Sequence, residues 1–283
     1  MVVVIGQVVG ELGSDSATSA LVRLASAGDV ARLVAVVATC GVLAALVRVW
    51  AGIGEGRDEL VALARATVQL AAVGLVIAVV LGSWWATGAF VIVMVVVAAW
   101  TSAGRMAVTA RWWVFAPVAL GALPVTAGLL ASGLLPLQPI ALVPTAGILI
   151  GNAMTATTIG GRRSLDSLLE RRGEYEAGLS IGLLPRDAAL LVAADEARLA
   201  LVPGLDQTRT VGLVTLPGAF VGTLLGGATP LEAAALQLAV LAGILLAQSI
   251  AVALVLELVV RGRLRRGPEA GAGGRRRRRA RAA

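Results

Sequence analysis

The sequence predicts an all-α, polytopic membrane protein, and three observations lead to that fold class. Hydrophobic residues make up 58% of the 283 residues and charged residues only 14%. A soluble domain has a polar surface to cover and does not show this composition. Several apolar runs reach the roughly 20 residues that a helix needs to cross a hydrocarbon core. Only one long polar stretch, about 155–206, interrupts them inside the chain.

Windows of about 19 residues pick out seven membrane spans. They are 31–51, 60–82, 87–105, 113–134, 138–154, 208–227 and 233–260. The fifth and sixth are short or interrupted by proline and glycine. We therefore expect an extracytoplasmic segment (1–30), a transmembrane domain (31–260) whose long cytoplasmic loop is 155–206, and a disordered basic tail (261–283).

The arginines predict the orientation of these spans. All 24 basic residues are arginine, and seven spans place the two termini on opposite sides. With the C-terminus in the cytoplasm, only Arg23 and Arg32 lie outside, as the positive-inside rule requires. An even number of spans would break this arrangement. The tail directly follows a span and has no aromatic residue, so we expect it to face anionic lipid and not nucleic acid.

The missing residue types exclude much chemistry. The chain has no lysine, no histidine and one cysteine. It therefore cannot hold a Walker A lysine, a Schiff base, a histidine base or a histidine-ligated metal. We expect no catalytic residue, no bound cofactor and no enzymatic activity, in a multi-pass protein of the inner or plasma membrane.

Two helices are predicted in the cytoplasmic loop. Ser164 is a possible N-cap for a helix over 164–180, and Pro185 suits the first turn of a second helix that Pro203 and Gly204 end. The second helix is too apolar to lie wholly in water. One face must pack against the spans or against another protein, and the sequence leaves both open.

Few polar side chains interrupt the spans: Arg65 and Gln69 in the second, Asn152 in the fifth, and Gln237, Gln248 and Glu257 in the seventh. Such groups usually face the bundle interior or an aqueous path. Packing and anchoring remain alternatives for each, and Glu257 can pair with Arg261 one turn later.

The sixth span carries an unusual pattern of glycine and proline. Pro217 removes a backbone donor, which predicts a kink. Gly218, Gly222 and Gly226 share one face, which predicts close contact with another helix.

Specific motifs in this region and elsewhere resemble the FetB family of ABC transporter permeases, which includes a plant aluminium-tolerance subunit. In chain order they are "RATVQLAAVG" (65–74), "PTAGILIGNAM" (144–154), "EYEAGLSIG" (174–182), "LVPGLDQTRTVGLV" (201–214), "GLVTLPG" with "GTLLGG" (212–227), and "TPLEAAALQ" (229–237). The resemblance covers most of residues 35–262.

The resemblance implies a permease that exports iron with a separate ATP-hydrolysing subunit, as two copies with two ATPases. The loop would dock on that subunit, with candidate residues Glu174, Glu176, Gly182, Arg186 and Asp187. Candidates for the translocation path are Arg65, Gln69, Asn152, Met154, Pro217, Gly218, Gly222 and Gln237.

This sequence departs from the family pattern where a metal would be held. Family members commonly carry Met-Met after the Pro-Gly pair, then Gly-Gln, and a tyrosine before Gln237. Here Ala219, Phe220, Thr223 and Leu236 occupy those positions. Because thioether sulfur is a soft metal ligand and amide oxygen a hard one, their loss leaves the solute open. A secondary transporter or channel without an ATPase, and a membrane scaffold without transport, are the alternatives.

Overall fold

The computed structural model describes residues 26–54 and 56–266, which form helices joined by short connections. The α-helices are α1 (Ala27–Trp50), α2 (Arg57–Leu81), α3 (Trp84–Met106), α4 (Phe115–Ala131), α5 (Pro139–Glu170), α6 (Arg172–Ser180), α7 (Pro185–Arg198), α8 (Val202–Thr210), α9 (Gly218–Leu225) and α10 (Pro230–Val260). Two 3-10 helices, Arg111–Val114 and Leu199–Leu201, precede α4 and α8. The predicted all-α class is confirmed.

Six of the described helices are long and apolar enough to cross a membrane. They are α1, α2, α3, α4 with its preceding 3-10 turn, α5 and α10. The predicted sixth span, 208–227, is not a continuous helix. The α-helix ends at Thr210, Gly212 adopts a left-handed φ of +82°, and the next helix begins at Gly218. Pro217 is the N-cap of α9 and not a kink, since its missing N–H costs nothing at a helix start.

The described residues fall into two compact units that meet in sequence at residues 82 and 83. The first is the hairpin of α1 and α2. Ser26 and Asp29 form a capping box at the start of α1. Near the turn, Arg48 forms ion pairs with Glu59 and, at 3.4 Å, with Asp58.

The core of the second unit joins α3, α4, α5 and α10 through small side chains. Seven of its alanines are completely buried or nearly so: Ala99, Ala103, Ala122, Ala146, Ala153, Ala247 and Ala251. Gly121 of α4 lies close to the backbone of α10: a Cβ there would lie 2.9 Å from the Ala247 carbonyl oxygen. Close backbone packing of this kind is how helices associate in lipid, where apolar surface alone gives no preference.

Helix α5 continues well beyond the predicted fifth span, 138–154. Its 32 residues extend about 48 Å at 1.5 Å per residue, against about 30 Å for the hydrocarbon core. Ser164 is therefore inside this helix and not an N-cap, and its hydroxyl donates to the Gly160 carbonyl at 2.7 Å. The predicted helix over 164–180 is the end of α5 followed by α6, whereas Pro185 starts α7 as predicted.

The chain from α7 to α9 follows α10 from its C-terminal end towards its N-terminal end. Arg186 at the start of α7 meets Glu257. Further along, Ala197 and Ala200 pack with Val252, Gly204 faces Gln248, and α9 packs on α10. These pieces make a segmented path antiparallel to α10. The orientation of the ends across the membrane stays a prediction, and segments 1–25 and 267–283 lie outside the described residues.

Candidate functional site

Helix α7 is tied to the end of α10 by a two-point ion pair. The Arg186 guanidinium donates to both carboxylate oxygens of Glu257, each at 2.8 Å, and to Asp187 at 3.0 Å. The Glu257 carboxylate holds the pKa of Arg186 above its usual range. Arg261 also donates to Glu257 at 2.5 Å, so the predicted pairing of those two is confirmed. A planar guanidinium fork fixes both direction and register.

The same helix is tied to the C-terminal part of α5, which extends beyond the predicted fifth span. Ser167 Oγ and Arg171 Nη1 both donate to the Val192 carbonyl, at 2.8 Å and 3.1 Å. Arg163 pairs with Glu196 at 3.1 Å. The face of α7 turned to α5 and α10 is apolar and buried: Ala188, Ala189, Val192, Ala193 and Ala197. The expectation that one face is buried is confirmed, and it packs against the spans.

The opposite side of this loop exposes apolar side chains. Ile181 is 81% exposed, Leu184 68% and Leu191 67%. Asp187 and Asp195 border a shallow depression of about 380 Å³ beside Leu191. Ile181 and Leu184 come just before α7, and Leu191 lies within it. We call these three side chains, with the Asp187 and Asp195 carboxylates, the outer face of α7. Gly182, with a left-handed φ of +95°, lets the chain turn from α6 into it.

The remaining docking candidates lie on α6. Glu174 forms an ion pair with Arg171, which lowers the pKa of the Glu174 carboxyl. Glu176 accepts from Arg172 Nε at 2.8 Å. All five candidate docking residues are thus on α6, α7 or their connection, so the fold brings them to one region.

A charged cleft of about 480 Å³ opens between the end of α5 and α7. Its lining alternates in charge: Arg162, Arg163, Asp166, Glu170, Arg171 and Glu196. Three arginines and three carboxylates thus bring equal numbers of positive and negative charges to this cleft.

A hydrogen-bonded amide pair joins α5 to α10 within the spans. Gln248 Nε2 donates to Asn152 Oδ1 at 3.0 Å, and Asn152 Nδ2 donates to the Ile148 carbonyl at 2.9 Å. Gln248 is only 4% exposed, and its Oε1 lies against Gly204 of α8. The Gln248 side chain of α10 therefore contacts both α5 and α8. Gly204 was expected only to help end the second loop helix, but that helix ends at Arg198 and Gly204 is buried in the first turn of α8.

Gln237 lies on the same face of α10, about three turns before Gln248. It is 5% exposed, and its Oε1 has no hydrogen-bond partner within the described chain. Met154 is half-buried and packs against the main core. Asn152, Met154 and Gln237 are thus inside the second unit. No three His, Cys, Asp or Glu side chains of residues 26–54 and 56–266 form a group that could hold a metal.

The other path candidates are on exposed surfaces. Arg65 and Gln69 are exposed on α2 of the first unit. Gly218 and Gly222 are exposed on α9, and nothing lies within 4 Å of a Cβ built at either. The predicted close helix contact is therefore not made at these two glycines by any residue of 26–54 or 56–266. It is made at Gly121, whose role the spacing did not reveal.

Comparison with known proteins identifies the family. The model described as "Uncharacterised protein family (UPF0014)" matches residues 31–263. The UPF0014 membrane protein STAR2 of Oryza sativa subsp. japonica is 34% identical over 194 residues, 67% of this chain and 68% of that protein. The probable iron export permease protein FetB of Escherichia coli (strain K12) is 30% identical over 188 residues, 65% of this chain and 73% of that protein.

A third relative is similar over a shorter region. Protein ALUMINUM SENSITIVE 3 of Arabidopsis thaliana is 41% identical over 106 residues, 38% of this chain and 39% of that protein. No solved structure matches the chain. The resemblance to FetB and its plant relatives is confirmed: this chain belongs to the UPF0014 family of membrane proteins.

Proposed function

We propose that this chain is the membrane-spanning permease subunit of an ABC transporter, exporting iron or another small solute. A separate subunit docks on the 155–206 loop and hydrolyses ATP, and this chain binds no cofactor of its own. The relative named as a probable iron export permease supports the class of activity. The observation that carries the proposal is α7, which is tied to two spans and leaves its outer face uncovered.

That arrangement suits the transmission of force. A push on the outer face of α7 reaches α10 through Arg186 and Glu257 and reaches α5 through the Val192 carbonyl. Because a bidentate ion pair and a buried apolar face resist rotation, α7 moves with those spans as one body. Both spans also carry the Asn152–Gln248 pair, so a movement of α7 acts on that hydrogen bond. Rocking of packed helices is a known form of transport transition.

The polar groups in the spans favour one of two kinds of solute: a metal ion that binds hard oxygen ligands, or a molecule that donates hydrogen bonds. Asn152, Gln237 and Gln248 supply amide groups, and the free Oε1 of Gln237 can accept a hydrogen bond. Met154 supplies the one soft donor among the path candidates. A hydrated or chelated metal ion fits this set better than a bare ion, because water or chelator donates to amide oxygens.

The docking claim is tested with a candidate ATPase subunit, sought as a neighbouring reading frame that encodes a Walker A motif. We expect the two to copurify and the permease to raise ATP hydrolysis. Leu191→Asp places a charge on the outer face of α7 and should lower that stimulation about tenfold or more. The matched control is Leu134→Asp, because Leu134 is 62% exposed in the connection between α4 and α5. Full stimulation by Leu191→Asp, with normal copurification, would contradict docking at this face.

The solute and the number of copies are tested on the same complex. Ferrous iron, ferric iron and a panel of other solutes are screened for stimulation of ATP hydrolysis, and no response to iron would remove it as the cargo. We propose two copies of the permease with two ATPases. Mass measurement of the purified complex should give this ratio, and a single copy would contradict it. Gly222→Leu should then reduce transport more than expression if α9 meets the second copy.

A secondary transporter or channel is the second candidate, favoured by the amide groups on one face of α10. It predicts solute flux down a gradient in liposomes that contain this chain alone. The permease reading predicts no flux until the ATPase and ATP are added.

A further inference from the structure

Arginine and tryptophan side chains gather at one end of the second unit, where α3 and α10 end and the 3-10 helix before α4 begins. The Arg111 guanidinium lies 5.2 Å from the ring centre of Trp100, and that of Arg263 lies 5.2 Å from the ring centre of Trp113. Trp113 stacks on Trp112 with ring centres 4.0 Å apart. We call Arg105, Arg111, Trp112, Trp113, Arg263 and Arg265 the collar.

The part of the collar that follows α10 is held in place by the fold. The backbone N–H of Thr109 donates to the Arg265 carbonyl at 3.2 Å. Leu264 is 1% exposed and belongs to the main core, and Arg266 pairs with Asp166 of α5. Arg263 and Arg265 therefore extend from a fixed strip of backbone across the end of the helix bundle.

The collar's four arginines are all exposed, and none has a carboxylate partner within the described residues. Most arginines of the neighbouring loop do have one: Arg163, Arg171, Arg172, Arg186, Arg198 and Arg209 each pair with Asp or Glu. The collar thus carries uncompensated positive charge at the level where the candidate spans α3 and α10 end, at Met106 and Val260. Phosphate headgroups lie at that level of a bilayer.

We propose that the collar binds the headgroup of an anionic phospholipid. A guanidinium stacked on an indole keeps its N–H edges free, and those edges match two phosphate oxygens at once. Trp112, 63% exposed, places an amphipathic ring at the lipid interface, where tryptophan is favoured. We assign the ligand as a lipid because arginines that can bind phosphate and the exposed Trp112 ring lie together at the end of the candidate spans. Phosphate headgroups and acyl chains meet at that level of a bilayer.

The test uses the tryptophans as probes in the purified full-length protein. The protein is placed in bilayers that contain brominated phosphatidylglycerol or brominated phosphatidylcholine, and quenching of tryptophan fluorescence gives the relative affinity for each lipid. We expect the anionic lipid to be favoured. A double variant, Arg111→Gln with Arg263→Gln, should lose about fivefold in that preference for each arginine, since one such charge near the surface is worth about 1 kcal/mol.

Controls separate this site from general charge and from misfolding. Arg198→Gln removes an exposed arginine of α7, outside the collar, and should keep the preference; an equal loss would overturn the collar as a local site. Arg111→Lys with Arg263→Lys keeps both charges and should retain most of it. In phosphatidylcholine, the glutamine variant should have the same unfolding temperature as the parent protein. If it does not, the lipid preference of the lysine variant is the test of the proposal. Equal quenching by both lipids in the parent, or loss of the preference on adding 10 mM inorganic phosphate, would overturn lipid binding.

Discussion

Replacing Gly121 with alanine tests the close contact between α4 and α10. The new Cβ would lie 2.9 Å from the Ala247 carbonyl oxygen, 3.2 Å from the Ala251 Cβ and 3.4 Å from the Ala153 Cβ. The first distance is shorter than a normal contact and involves backbone, which cannot turn away as a side chain can. Helix α10 must therefore shift by a few tenths of an ångström, and its contacts with α5 must shift with it.

The size of the effect follows from two opposing terms. Overpacking a filled core costs about 1–3 kcal/mol, while alanine favours a helix over glycine by about 1 kcal/mol. We expect Gly121→Ala to lower the free energy of unfolding by about 1 kcal/mol. Gly128→Ala, also in α4 but with nothing within 4 Å of its Cβ, has only the helical gain. The difference between the two variants isolates the packing term, about 2 kcal/mol.

Thermal unfolding in detergent, followed by tryptophan fluorescence, measures both variants against the parent. About 2 kcal/mol corresponds to a difference of roughly 4–8 °C in Tm for a unit of this size. If Gly121→Ala is as stable as Gly128→Ala, the two helices do not approach as the structure shows. The packing account of the core would then be wrong.

Three further changes probe the loop and the amide pair. Gln248→Leu removes the hydrogen bond to Asn152 and should lower the free energy of unfolding by about 0.5–1.5 kcal/mol, the range for hydrogen bonds between membrane helices, measured by the same thermal unfolding in detergent. Glu174→Gln removes the ion pair with Arg171. The Arg171 guanidinium holds the folded-state pKa of Glu174 below its usual value, so this pair stabilises α6 above the unfolded-state pKa and is lost as pH falls through the lowered value. Hydrogen exchange of α6 should show an acid transition that the variant lacks. Arg186→Gln should speed hydrogen exchange across α7 and uncouple ATP hydrolysis from transport.

Each of these changes has a control nearby. Leu246→Ala alters an exposed side chain of α10 and should leave the core hydrogen bonds intact. Glu170→Gln removes a carboxylate next to α6 but not its ion pair, so the acid transition should persist. Arg172→Gln removes an exposed loop arginine without touching α10. Equal effects of Arg172→Gln and Arg186→Gln would show that loop charge, and not the tie to Glu257, controls coupling.

The sequence was enough to find the spans but not their partners. Composition alone located six helices long enough to cross a membrane, because apolar runs must be helical where no water satisfies the backbone. The predicted sixth span, 208–227, was wrong in its form. Pro217 predicted a kink inside one helix, but the helix ends at Thr210, Gly212 adopts a left-handed conformation, and Pro217 caps the next helix.

The contacts that build the candidate site could not be predicted for a different reason. Arg186 and Glu257 are 71 residues apart, and Asn152 and Gln248 are 96 apart. Local spacing carries no information at such separations. Helical periodicity did correctly pair Glu257 with Arg261, which are four residues apart. It also suggested a contact face at Gly218 and Gly222, where the described part of the chain supplies no neighbour.

The segmented path beside α10 has a consequence for the surface it presents to its surroundings. Helix α9 has eight residues and rises only about 12 Å, less than half of a hydrocarbon core. The turn before it exposes Leu213, at 91%, and Val214, at 77%, while its N–H groups from Gly212 to Thr215 donate to the Thr210 and Thr215 carbonyls. Where lipid offers no hydrogen bonds, a non-helical turn has to pair its peptide N–H groups internally in this way. The two apolar side chains can therefore face lipid tails or a second copy of the chain without leaving those N–H groups unpaired.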